Sequence, residues 1–198
     1  MKKTTITALV ALVALFTSTA FARGWKEAKI DIFGFGAPDT DTAWKTDQVS
    51  AYGGVDSPKF RNGYLPAGFT PRENPFYVAL PYNDVTDPDK RRVKKIPWYD
   101  WEKTSSMKNT WVMILAKNTI VYAQVEETFT KKADDYAYVI GDSPHPKNSR
   151  GVGMQVSPAV ADYLGLESGD LVRWMFVDSR NILPGPWNAI ETTSDASW

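Results

Sequence analysis

The stretch that decides the fold is residues 151–178, which read GVGMQVSPAVADYLGLESGDLVRWMFVD. Ser157 is a favourable N-cap, Pro158 suits the first helical position, and Gly165 suits the residue that follows a helix end. These residues predict a short helix. The run 171–178 places apolar side chains at alternate positions, which predicts a strand after the helix. The whole stretch is therefore expected to form a strand, a short helix and a second strand.

Several apolar runs outside this stretch also have the composition of strands. Residues 76–80 predict a short buried strand, and 111–116 and 119–126 predict a β-hairpin rich in β-branched and aromatic side chains. Further short strands are predicted over 135–140 and near 187–191. About six short strands with one helix before the last long strand favour a small β-barrel or a compact α+β fold.

The late stretch resembles the second half of a double-psi β-barrel of the RlpA-like/expansin-like superfamily. In that superfamily a Gly-rich turn leads into a strand that ends in Asp-x-Ser, and a short helix ending in Leu-Gly precedes a last barrel strand. The residues that carry the resemblance are 151–160, 163–166 and 169–177. It implies a mainly β chain, with a small six-stranded double-psi β-barrel, one short helix and a loop-rich N-terminal extension.

The expected organisation has four parts. A signal peptide over 1–22 precedes an irregular wrap over 23–75, which is rich in Gly and Pro and has few strands. The barrel-like domain covers 76–190 and contains a polar insertion at about 83–109. A C-terminal tail covers 191–198.

The first 22 residues are typical of a Sec-type signal peptide. Lys2 and Lys3 form a positive n-region, residues 8–16 are apolar, and Ala20-Phe21-Ala22 fits the small-x-small rule for cleavage after Ala22. The apolar run is too short to cross a bilayer comfortably. We therefore expect a periplasmic or secreted protein that does not span the membrane after removal of the signal.

Composition argues against several function classes. The chain has 23 Lys and Arg against 23 Asp and Glu, one His and no Cys. Without Lys2 and Lys3 the mature chain is slightly acidic, so it lacks the excess positive charge that binding of nucleic acid requires. The missing Cys excludes thiol catalysis, disulfides and a lipidated Cys, and a single His argues against multi-His metal sites. We expect no metal, no cofactor and no nucleic-acid partner; the sequence does not indicate an oligomeric state.

The resemblance implies a role on cell-wall glycan, such as peptidoglycan or a related polysaccharide, with a groove across one barrel face. Members either cleave glycans or bind and loosen wall polymers, and the Asp of Asp-x-Ser is an important groove acid. Gln155 occupies that position here. A neutral amide cannot act as a general acid, so we expect glycan binding or modification with weak or no catalysis. An active glycan-cleaving enzyme and a secreted effector or protein-binding factor on the same fold remain the alternatives.

Four residues are candidates for catalysis if the protein cleaves glycan: Asp84, Glu126, Asp135 and His145. Glycan cleavage needs carboxyl groups, one with a raised pKa. Strand alternation predicts that one of Glu126 and Glu127 faces a groove or the core and the other faces away. Acids at strand ends are also common as ordinary turn residues, and a lone His in a loop is often a surface residue.

Four further residues are candidates for glycan binding: Trp98, Tyr99, Trp101 and Gln155. Flat aromatic faces stack on sugar rings, and the neighbouring basic run 90–95 suits carboxylates of wall polymers. The alternative is that these aromatic residues only pin the insertion onto the barrel.

Overall fold

The structure, a computed structural model, describes residues 24–36, 45–129, 133–148 and 150–195. The predicted signal peptide and its cleavage site lie outside these residues. Within the described ranges, no helix has the length and apolar character needed to cross a membrane.

The chain is mainly β and closes six of its strands into a barrel in the order β1-β7-β4-β6-β5-β8. Strands β2 and β3 form a separate two-stranded sheet. The elements in chain order are β1 (Lys26–Ile32), α1 (Lys45–Tyr52), β2 (Arg61–Asn62), β3 (Leu65–Pro66), β4 (Tyr77–Leu80), α2 (Lys90–Val93), β5 (Trp111–Ala116), β6 (Thr119–Thr128), α3 (Tyr136–Val139), β7 (Val152–Val156), α4 (Pro158–Leu164) and β8 (Leu171–Val177).

The barrel mixes parallel and antiparallel neighbours. β1 pairs parallel with β7, and β4 pairs parallel with β6. The predicted hairpin is confirmed as β5 and β6, which pair from Trp111 opposite Gln124 to Ala116 opposite Thr119. Its two turn residues, Lys117 and Asn118, both have positive φ. This geometry matches the type I′ turn, whose twist suits a two-residue hairpin loop.

The predicted helix in the late stretch is confirmed as α4. The Ser157 hydroxyl accepts a hydrogen bond from the Val160 N–H at 3.2 Å, and Pro158 is the first helical residue. Gly165 ends the helix in the left-handed region at φ 60°, where a side chain would be strained. The predicted strand follows as β8, whose side chains at alternate positions enter the barrel core: Val172, Trp174 and Phe176.

Three expectations about local structure were wrong. The barrel does not start at residue 76, because Lys26–Ile32 of the expected irregular wrap forms β1 and buries Ala28 and Ile30. Residues 135–140 do not form a strand; Tyr136–Val139 is a short helix. The segment near 187–191 contains a 3₁₀ turn, Pro186–Asn188, instead of a strand. Long-range pairing made a strand of Lys26–Ile32, whereas in the other two segments tertiary contacts or a side-chain cap outweighed local strand propensity.

Apolar side chains pack on both sides of the barrel wall. The interior holds residues such as Ile114, Val125 and Trp174. A second cluster lies outside β4, where Tyr77 stacks on Phe35 with ring centroids 4.1 Å apart. The N-terminal segment thus covers one outer face of the barrel instead of exposing it.

Candidate functional site

A β-bulge in β6 places two consecutive carboxylates inside the protein. β4 and β6 change register between Val78 and Ala79, so that Val78 pairs with Val125 but Ala79 pairs with Glu127. Glu126 is the extra residue of the bulge. Glu126 and Glu127 are 1% and 2% exposed. Both acids are buried, although strand alternation predicts that only one of them faces a groove or the core; the bulge interrupts that alternation.

Glu126 belongs to a buried acidic cluster, which we define as Glu73, Lys108, Glu126 and Glu127. The Lys108 ammonium donates to Glu126 Oε2 at 2.5 Å and to Glu73 Oε1 at 3.3 Å. Glu127 lies next to this pair, and its Oε1 accepts the Thr128 N–H at 2.8 Å. Two carboxylates thus contact one buried ammonium group, and Glu127 is close enough to influence all three electrostatically.

Burial is the main influence on the pKa values of the acidic cluster. It raises the pKa of Glu126 to about 7, although attraction to Lys108 opposes the shift. It raises the pKa of Glu127 to about 8, against the hydrogen bond from Thr128. For Lys108, burial lowers the pKa but the two neighbouring carboxylates raise it more. At neutral pH the Lys108 ammonium is therefore charged, Glu127 is mainly protonated, and Glu126 is about half ionised.

Asp84 is a structural anchor within the insertion. Its carboxylate accepts the Ser105 hydroxyl at 2.6 Å and the Ser106 N–H at 2.7 Å. The Ser105 oxygen in turn accepts the N–H of Lys108 at 3.1 Å. Burial raises the pKa of Asp84, and these hydrogen bonds oppose the shift. Asp84 therefore organises the turn that carries Lys108, and it is only 3% exposed.

Asp135 and His145, the other two catalytic candidates, make their contacts away from the acidic cluster. Asp135 caps α3 by accepting the Tyr138 N–H at 3.2 Å, and it also accepts the Lys147 N–H at 2.8 Å. The His145 side chain is 65% exposed, and its Nδ1 lies 3.7 Å from a carboxylate oxygen of Glu27. The structure thus gives Asp135 a local structural role and places His145 at the surface.

Gln155 lies in a row that crosses four neighbouring strands. On β7 it is in register with Asp31 of β1 and with Ala79 of β4, and Ala79 is in register with Glu127 of β6. Paired residues in a sheet share one face. The half-buried amide of Gln155 is therefore on the same face as one half-buried acid, Asp31, and one buried acid, Glu127.

The three aromatic candidates of the insertion divide into one anchor and two exposed rings. Trp98 packs on Phe176 with ring centroids 4.6 Å apart, and its Nε1–H donates to the Ser106 carbonyl at 2.7 Å. Trp98 therefore pins the insertion to the barrel, as the structural alternative proposed. Tyr99 and Trp101 are 38% and 78% exposed. We call residues 98–103 the aromatic segment.

The surface around the aromatic segment carries lysines with exposed side chains. Lys94, Lys95 and Lys103 are exposed. Arg92 instead binds Asp87, with 2.7 Å between guanidinium and carboxylate atoms. Residues 94–103 therefore hold three lysines against two acids, Asp100 and Glu102, which leaves a small net positive charge.

Sequence reasoning missed Glu73, Lys108 and the buried residue Asp56. Asp56 forms an ion pair with Arg61, and the Tyr77 hydroxyl donates to it at 2.9 Å. These residues lie in segments that look like polar loops. Only long-range packing reveals that they are buried, and no local motif marks them.

Comparison with known protein-family models found no match, and comparison with curated proteins found no significant match. Among the described residues, no group of three or more His, Asp or Glu side chains is arranged to hold a metal ion. Function is therefore inferred from the geometry of the side chains.

Proposed function

We propose that the protein is an exported RlpA-like double-psi barrel that binds cell-wall glycan through the aromatic segment and has weak or no catalytic activity. The closed barrel of six strands, with its two parallel pairs and with α4 between β7 and β8, is compatible with that fold. Export rests on the predicted signal peptide. The ligand class rests on the resemblance together with the chemistry of the exposed surface.

The observation that carries the proposal is an exposed tryptophan on a fixed backbone. Trp101 is 78% exposed. On one side of it, the Asp100 N–H donates to the Ser106 hydroxyl at 3.2 Å; on the other, the Glu102 N–H donates to the Asp100 carboxylate at 3.0 Å. Because the backbone on both sides of Trp101 is held in this way, the ring offers a stacking surface and little loop ordering is needed on binding.

The exposed lysines near the aromatic segment favour an acidic polymer as the ligand. Lys94, Lys95 and Lys103 are exposed, and their ammonium groups can pair with carboxylates such as those on the peptide stems of peptidoglycan. Pairs of this kind in solvent are weak and salt-dependent, so they support the stacking contact rather than replace it.

Binding without cleavage is favoured because the candidate acids are enclosed. Glu126 and Asp84 are buried and engaged by Lys108 and by Ser105, respectively. A general acid must reach the leaving oxygen of the substrate within hydrogen-bond distance. Gln155, in place of the family Asp, cannot supply a proton as a carboxylic acid does.

One observation favours cleavage as a second candidate function. Glu127, with its pKa raised to about 8 by burial, would be protonated at neutral pH as a general acid must be. It shares a strand face with Gln155 and Asp31. Release of new reducing or anhydro ends from glycan by the wild type, and their loss in Glu127→Gln, would favour this function over simple binding.

The binding function can be tested by sedimentation of the mature protein with purified peptidoglycan. We expect Trp101→Ala to weaken binding roughly tenfold, equivalent to about 1.4 kcal/mol. The matched control is Phe60→Ala, because Phe60 is 71% exposed but lies beside β2, outside the aromatic segment. Equal binding by the wild type and both variants would contradict the proposed site, and no sedimentation of the wild type would contradict the proposed ligand.

A further inference from the structure

Lys108 is enclosed together with two possible reaction partners. The exposed fraction of its side chain is 0%, and those of Glu126 and Glu73 are 0% and 3%. The Lys108 Nζ contacts Glu126 Oε2 at 2.5 Å and Glu73 Oε1 at 3.3 Å. A primary amine therefore lies against one carboxyl group while a second carboxyl group lies within proton-transfer distance.

The backbone holds Lys108 and Glu126 opposite each other. The Asn109 N–H donates to the Val125 carbonyl at 2.9 Å, and the Val125 N–H donates to the Thr110 carbonyl at 2.8 Å. These bonds extend the β5–β6 pairing toward Lys108 and the bulge. Fixed reactants gain effective molarities of about 10⁵ M or more over free ones. The absence of solvent exposure also disfavours hydrolysis of any amide formed there.

We propose that Lys108 and Glu126 condense into an intramolecular isopeptide bond, with Glu73 as the residue that transfers protons. This proposal is independent of the proposed glycan binding. It assigns Lys108, Glu126 and Glu73 a chemical role that needs no access from solvent, and this lack of access makes Glu126 unsuitable as the general acid of glycan cleavage.

The reaction balances without an external reagent. The Lys108 ammonium first passes a proton to the Glu126 carboxylate, which leaves a neutral amine beside a neutral carboxylic acid. The amine lone pair attacks Cδ of Glu126 and forms the N–C bond. Glu73 accepts the second amine proton and delivers it to the departing hydroxyl group, so that the C–O bond breaks and one water leaves. Overall, one ammonium and one carboxylate give one amide and one water.

A bond of this kind would suit a chain that contains no cysteine. It would join the turn before β5 to the bulge of β6, and the turn also carries the Ser106 contacts of the aromatic segment. The crosslink would also remove two charges from the protein interior, where unneutralised charges are costly.

The proposal is tested by mass spectrometry of the wild-type protein purified after export. We expect the mature chain to be about 18 Da lighter than its sequence mass, the mass of one water. Trypsin should fail to cleave after Lys108, and fragment spectra should show Lys108 joined to Glu126. An unmodified mass would overturn the proposal, as would a loss of water that maps to any other pair of residues.

An internal control and two variants separate this bond from other modifications. Lys26 is also buried, but its ammonium donates to the backbone carbonyls of Gly141 and Ser143, so its peptide should keep the unmodified mass. Lys108→Met should restore the full mass, and Glu73→Gln should slow the mass loss after synthesis. A mass loss that persists in Lys108→Met would overturn the proposal. If Lys108→Met does not fold, the wild-type peptide map alone decides the matter.

Discussion

Replacing Glu127 by glutamine tests the buried acidic cluster through the pH dependence of folding. Burial raises the pKa of this carboxyl from 4.5 to about 8, so the folded protein binds its proton more tightly than the unfolded chain does. Stability falls with rising pH wherever the native state holds more protons. The wild type should therefore lose stability between about pH 4.5 and pH 8. A glutamine side chain at this position cannot ionise, so its contribution should not change over this window.

The size of this loss of stability follows from the shift in the pKa of Glu127. A change from 4.5 to about 8 is roughly 3.5 units, and each unit corresponds to about 1.4 kcal/mol. The upper limit is then about 5 kcal/mol, and rearrangement around the newly formed charge reduces it. We compare the free energy of unfolding of Glu127→Gln with that of the wild type at each pH. This difference should shift in favour of Glu127→Gln by at least about 2 kcal/mol when the pH is raised from 5 to 8.5. The amide keeps an oxygen that can accept the Thr128 N–H.

The assay is denaturation by urea at pH 5 and pH 8.5, followed by the fluorescence of the eight tryptophans. Glu167→Gln is the matched control, because Glu167 is exposed in the turn between α4 and β8. A difference between Glu127→Gln and the wild type that is the same at both pH values would refute the assignment of a raised pKa to Glu127.

Three further predictions concern other parts of the structure. Ser157→Ala should lower the free energy of unfolding by about 1 kcal/mol because α4 loses its cap, as measured by chemical denaturation; no change would contradict this role. Asp84→Ala removes the acceptor of the Ser105 hydroxyl and the Ser106 N–H, so it should lower the melting temperature and weaken sedimentation with peptidoglycan. Unchanged binding would show that Asp84 does not position the aromatic segment. Binding should also weaken as salt rises, and less steeply in the double variant Lys94→Ala, Lys95→Ala; identical salt slopes would exclude these lysines.

Local sequence signals predicted the parts of the barrel that local interactions form. Ser157, Pro158 and Gly165 mark the start and end of α4 through cap contacts within a few residues. The β5–β6 hairpin is likewise specified by two apolar runs and a two-residue turn. From these elements and the resemblance, a mainly β barrel could be predicted.

The remaining features depend on contacts between residues far apart in sequence. β1 is a strand because it pairs with β7 and β8, more than a hundred residues later. Residues 135–140 contain aromatic and β-branched side chains, but the Asp135 cap and the long-range contacts of Tyr138 favour α3. The bulge that buries both Glu126 and Glu127 has no signature in the sequence of β6.

The candidate site was predicted only in part for the same reason. The sequence suggested Trp101 as a candidate stacking residue, but only the structure shows that Trp101 is exposed and that Trp98 anchors the insertion against Phe176. Asp84 has the sequence context of a turn residue and proves to hold a turn more than twenty residues later. Lys108, which is central to the acidic cluster, lies in a polar segment that gives no indication of burial.

The most direct test of the proposed function is the dissociation constant for purified peptidoglycan, measured for the wild type, Trp101→Ala and Phe60→Ala, with mass spectrometry of the soluble products. Saturable binding by the wild type and Phe60→Ala, roughly tenfold weaker binding by Trp101→Ala, and no new glycan ends would match a binding barrel. Equal affinity of all three proteins, or efficient release of cleaved glycan by the wild type, would contradict it.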